Sequence, residues 1–96
     1  MASYNRIGAV RTTIAVLRHL SEQREPLSGQ DVAQAVGVPH ATAMCHLATL
    51  EDEGLVRSVG GCYELGTGMA LLYARYKSLL EGKIEKLNKE LNALEV

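Results

Sequence analysis

Residues 28–54 read SGQDVAQAVGVPHATAMCHLATLEDEG. Two segments with apolar residues at helical spacing are separated there by only Gly37, Val38 and Pro39. Glycine takes up the left-handed backbone that closes a helix, and proline presets the entry to the next one. With so short a break, the two helices must cross closely. Val32, Ala33 and Val36 form the inner stripe of the first, with the small Ala33 at the crossing; Ala43, Leu47 and Leu50 form that of the second. Ser28 is a good N-cap and Asp31 stands three residues on, in a variant of the capping box. The second helix is expected over residues 39–53, closed by Gly54. Helix, tight turn, helix is the helix-turn-helix pattern.

The flanking segments complete a larger unit. Ile7, Val10, Ile14, Leu17 and Leu20 predict a leading helix over residues 7–23, stopped by Pro26. After Gly54, LVRSVGGCYELG predicts a hairpin turning on Gly60-Gly61. Counting outward from that turn pairs Val59 with Cys62, Ser58 with Tyr63, Arg57 with Glu64 and Val56 with Leu65. Val56, Ser58, Tyr63 and Leu65 are then expected to face the core, with Arg57 and Glu64 paired on the wet face. A hairpin directly after the second helix makes the unit a winged helix.

From Thr67 the pattern is helical again. Met69, Leu72, Tyr73, Tyr76 and Leu80 line one side, and Leu80, Ile84, Leu87, Leu91 and Leu94 repeat at steps of 4, 3, 4 and 3. That is a heptad seam, and Gly82 beside it is a candidate kink. The expected fold class is mainly α with a small β-hairpin: a winged helix-turn-helix over residues 1–66, then a long C-terminal dimerisation helix over residues 67–96. The nine apolar residues just named are the candidate dimer contacts.

Composition narrows the function. A chain of 96 residues holds one small domain with a thin core, which a partner subunit would extend. Net charge is −1, but its distribution is uneven. From Glu25 to Val56 there are five acids and no Lys or Arg; Arg6, Arg11, Arg18 and Arg24 precede that stretch, and Arg57 and the C-terminal bases follow it. Cys45 and Cys62 make no disulfide framework, and with His40 and His46 they match no standard zinc spacing, so no metal is expected. No cofactor fingerprint and no nucleophile with its base appears, so no enzyme is expected. With no leader peptide and no apolar run of membrane-spanning length, the expected location is the cytoplasm, away from membranes.

The run PLSGQDVAQAVGVPHATAMCHLATLEDEGLVRSVGGCYELG resembles the N-terminal DNA-binding domain of IclR-type transcriptional regulators. GVP, HLATLEDEG and CYELG carry the resemblance, in family-like order and spacing, over roughly residues 12–76. It implies a homodimer on double-stranded DNA, a recognition helix in the major groove and a wing near the backbone. It also implies a large effector domain, which these residues do not include. Two positions depart from the family pattern. The recognition helix carries no Lys or Arg, and His46 stands where a buried Leu is usual.

Phosphate contacts supply much of the affinity for DNA and need not come from the recognition helix. Arg6, Arg11 and Arg57 are the candidates for that role. His40 and Thr42 are candidates for hydrogen bonds to bases, and Ala41 or Met44 for contact with a thymine methyl. Ser28, Pro39 and Cys45 complete the expected DNA face. The expected binding by an isolated domain is weak and strongly salt-sensitive. The rival reading is a winged-helix adaptor that binds another regulatory protein and no DNA.

Overall fold

A computed structural model describes residues 3–95. The element order is α1 (Gly8–Ser21), α2 (Gly29–Val36), α3 (His40–Asp52), β1 (Val56–Val59), β2 (Cys62–Leu65) and α4 (Thr67–Leu94). The helices are built as their punctuation dictates. The Ser28 side chain accepts a hydrogen bond from the Asp31 N–H at 3.1 Å, capping α2. Gly37 closes α2 at φ 73, ψ 39, and Val38 N–H reaches back to the Ala33 carbonyl. The end of α3 is a Schellman turn: Leu55 N–H bonds the Leu50 carbonyl, Gly54 N–H bonds the Glu51 carbonyl, and Gly54 takes φ 76.

The core is small. Val16 and Leu20 of α1, Val32 and Ala33 of α2, Ala43, Leu47 and Leu50 of α3, and Val56 of β1 are its buried members. Leu17, Leu27, Val36, Met44, Leu55, Tyr63 and Leu65 pack around them. Helix α1 is shorter than its apolar spacing predicts, ending at Ser21 well before Pro26. Its inward face also differs. Val16 and Leu20 point inward, whereas Ile7, Val10 and Ile14 stay exposed. The apolar arc of α1 is wide, and α2, α3 and the wing are together large enough to cover only one edge of it.

The hairpin forms in the register counted from Gly60-Gly61. Both glycines have positive φ, 57° and 79°, as a type I′ turn requires. Val56 is buried, and Tyr63 and Leu65 are half-buried. Ser58 does not face the core: it is exposed, and its hydroxyl turns to the Glu51 carboxylate at the end of α3. A further pairing escapes any strand pattern. Leu27 and Tyr63 form an antiparallel bridge through both backbone bonds, at 2.9 and 2.7 Å. A single residue between Pro26 and Ser28 is too short to show alternation.

Helix α4 is tied to this body at its first turn. Gly66 N–H bonds the Leu55 carbonyl and Gly68 N–H bonds the Gly54 carbonyl, both at 2.9 Å. The helix then runs on through Gly82 without a break, and every described residue of it from Ala70 onward is exposed. No helix among the described residues is long and apolar enough to cross a membrane.

Candidate nucleic-acid interface

The tight turn at Gly37 presents α3 as the outer helix of the pair. Pro39 is its N-cap residue at φ −59, with no side-chain cap and no acid in the first turn. The first N–H groups of α3 therefore have no intrahelical acceptor and no side-chain cap, and no acid of the helix's own first turn offsets the positive end of its dipole. His40, Ala41, Thr42, Cys45, Ala48 and Thr49 are exposed along it. The Thr49 hydroxyl donates to the Cys45 carbonyl at 2.8 Å, so its hydrogen is already used within the helix.

Met44 does not join that exposed face. It is half-buried and packs against the core, with its sulfur over Gly29 at the start of α2. A Cβ on Gly29 would collide with that sulfur, so Gly29 permits the close approach of α2 and α3 one turn before Ala33. The His40 ring also leans toward Gly29, its Nε2 lying 3.5 Å from where that Cβ would stand. Ser28 is half-buried, and its oxygen is committed to the cap of α2.

The three arginines assigned to phosphate are dispersed. Arg6 precedes α1, its guanidinium donating to the Tyr4 carbonyl at 2.8 Å. Arg11 lies early on α1, on the rim of a groove of about 730 Å³ shared with Arg18, His19 and the α2 residues Ala35 and Val36. Arg57 is held by Glu64 across the wing: its Nε and Nη2 both meet Oε1 at 2.7 Å. The pair is exposed, so it is screened by solvent, yet it occupies the guanidinium.

Two side-chain bonds that spacing alone does not announce brace α3. His46 Nδ1 lies 2.7 Å from Thr13 Oγ1 on α1, and Thr13 Oγ1 also donates to the Ala9 carbonyl at 2.9 Å. A hydroxyl has one hydrogen. The Thr13 hydroxyl therefore donates to only one of these two partners, and with its hydrogen on the Ala9 carbonyl the bond to His46 requires the Nδ1–H tautomer of the ring. At the other end of α3 the Ser58 hydroxyl donates to Glu51 Oε2 at 2.6 Å, fastening the wing to the acidic helix end.

The dimer candidates lie along α4, where Leu72, Tyr73, Tyr76, Leu80, Ile84, Leu87, Leu91 and Leu94 are all exposed and Met69 is half-buried. Ile7, the N-cap of α1, and Val10 and Ile14 within it form a further exposed apolar stripe.

The family model of the IclR helix-turn-helix domain matches residues 9–60, more than half of the chain. The chain belongs to the IclR family. Its IclR helix-turn-helix region takes in α1, α2, α3 and β1 and stops at the wing turn. The solved IclR transcriptional regulator of Alicyclobacillus acidocaldarius superposes with a TM-score of 0.74 at 28% identity, over 78% of this chain and 31% of that one. An IclR family regulator from Brucella abortus gives 0.67 at 25% identity, over 81% and 32%. HmgR of Pseudomonas aeruginosa shares the fold, with a TM-score of 0.63 at 20% identity over 72% and 29%. The chain thus spans about a third of the length of these IclR-type structures. No curated protein matches it.

Proposed function

We propose that the chain is a DNA-binding transcriptional regulator acting as a homodimer. In this reading α3 lies in the major groove, His40, Ala41 and Thr42 meet base edges, and Cys45 lies alongside them. Met44 supports α3 from behind by packing on Gly29. Pro39 and Ser28 set the approach of the two helices, and Arg6, Arg11 and Arg57 deliver charge to the phosphates. The leucine stripe of α4, with Met69, Leu72, Tyr73 and Tyr76, joins the two copies. The observation that carries the proposal is the pairing of α2 with α3 through Gly37, followed by a wing, in a chain of the IclR helix-turn-helix family. The test is a mobility shift on random duplex at low salt. Retardation that fades steeply with added salt supports the proposal, and none at any salt overturns it.

A second reading rests on two observations: α3 carries no Lys or Arg, and Glu64 pairs with Arg57 on the wing. A winged-helix adaptor for another regulatory protein would look the same on α3. The same mobility shift separates the two.

A further inference from the structure

The heptad seam of α4 fixes the environment of each neighbouring residue. With Ile84 and Leu91 at position a, positions d are Leu80, Leu87 and Leu94. Lys77 then falls at a further a position, Lys83 and Glu90 at g, and Glu81, Asn88 and Glu95 at e. All are exposed. Among the described residues the ion pairs are Arg57–Glu64 and Glu85–Lys89, and the second lies away from the seam. Lys83 and Glu90 therefore carry charge along the edges of the apolar stripe and Lys77 carries it within the seam, and none of the three is in an ion pair among the described residues.

The flanking charges of a helix pair decide its direction. In a parallel pair each g residue meets the partner's e residue five positions on. Glu90 would then face the partner's Glu95, twice by symmetry, and Lys83 would face a neutral Asn88. Lys77 would meet the partner's Lys77 inside the seam. An antiparallel pair reverses each of these. Ile84 packs against the partner's Leu87 and Leu80 against the partner's Leu91. Lys83 then reaches the partner's Glu90, and the two-fold axis repeats that pair. Lys77 arrives at the last turn of the partner helix, beside the partner's Glu95 and the exposed carbonyls that favour a cation there.

From this pattern we infer that α4 docks on α4 of a second copy in antiparallel orientation, held in register by reciprocal Lys83–Glu90 pairs. The inference rests on the homodimer proposed above and specifies its geometry. The two-fold axis passes between Ile84 and Leu87. At 1.5 Å per residue the two Thr67 residues then stand about 55 Å apart, against about 10 Å in a parallel pair. The winged helices are thereby held at opposite ends of the dimer.

Sedimentation of the full chain and its charge variants tests this, because the two orientations give opposite signs. In the antiparallel pair Glu90→Lys sets two cations against each other twice, and the dimer dissociation constant rises up to about tenfold. The double variant Lys83→Glu/Glu90→Lys restores the parent value. In a parallel pair Glu90→Lys instead creates attraction to Glu95 and tightens the dimer. An unchanged or tighter Glu90→Lys dimer overturns the antiparallel assignment alone, and it also covers docking of α4 on the partner's α1. A parent chain that is monomeric at tens of micromolar overturns the α4 homodimer as a whole. A spin label at Thr67→Cys, with Cys45→Ser and Cys62→Ser, gives a readout free of charge changes. A distance near 55 Å supports the assignment, and one under about 20 Å overturns it.

Discussion

His46 Nδ1 and Thr13 Oγ1 meet at 2.7 Å and tie α3 to α1 across 33 residues of sequence. The bond occupies a half-buried position at which a Leu would contribute only packing. Truncating one partner leaves the other short of a hydrogen bond, whereas replacing both with apolar groups of similar shape removes the need. We therefore expect His46→Ala to lower unfolding free energy by about 1–2 kcal/mol. The double variant Thr13→Val/His46→Leu should recover most of that loss. Urea unfolding of the parent, the single variants and the double variant measures the coupling, and strictly additive effects would contradict it.

Gly68 and Gly82 belong to the same helix yet answer oppositely to a methyl group. A Cβ on Gly68 would stand 2.6 Å from the Gly54 carbonyl oxygen, a backbone atom that cannot rotate away. Gly82 has nothing within 4 Å. Gly68→Ala is expected to cost about 1–3 kcal/mol through overpacking. Gly82→Ala should stabilise by about 0.5–1 kcal/mol, because alanine loses less backbone entropy in a helix interior. Thermal melts of the two variants should move in opposite directions.

On DNA, Ala in place of Arg6, Arg11 and Arg57 together should weaken binding to every sequence. The slope of log affinity against log salt should flatten by up to about 0.9 for each phosphate that is no longer neutralised. Glu64→Gln tests the wing separately. It releases Arg57 from its 2.7 Å partner, so affinity at low salt should rise. A titration in which neither change alters affinity or slope removes these arginines from the interface.

Sequence preference is expected to reside at the start of α3. His40→Ala and Thr42→Ala should each change the selected site, with discrimination at one base position falling by about 1–3 kcal/mol. Non-specific affinity should change little. Selection from random duplexes that returns the parental site for both variants rejects base readout by these two residues.

Assembly should depend on the stripe of α4. Leu87→Glu with Leu91→Glu places charges in the middle of the seam and should give a monomer. Far-ultraviolet circular dichroism should retain most of the helix signal while DNA affinity falls by far more. A double variant that still sediments as a dimer moves the interface elsewhere, the exposed Ile7–Val10–Ile14 stripe at α1 being one such surface.

Much of the fold was legible because it depends on local chemistry. Gly37 and Gly54 close helices whatever surrounds them, and their positive φ values follow from the missing side chain. Ser28 caps α2 through a bond to a residue three positions away. Gly60-Gly61 determines the wing register by itself, because a two-residue turn allows only one pairing of the flanking strands. The heptads of α4 likewise announce an apolar stripe before anything is known of what covers it.

Tertiary structure decided what local spacing leaves open. Helix α1 offers two neighbouring apolar faces, and only the bulk of α2, α3 and β2 selected Val16 and Leu20 for the core over Val10 and Ile14. Met44 and Cys45 are adjacent in sequence, but the closeness of Gly29 drew the first inward and left the second exposed. Ser58 shares a strand face with Val56, yet the hairpin outruns the core, so its hydroxyl turned to Glu51 instead. The Leu27–Tyr63 bridge and the Thr13–His46 bond join residues 36 and 33 positions apart. Residue periodicity reports which faces of an element are apolar; which of those faces is buried depends on the limited volume of the neighbours that pack against it.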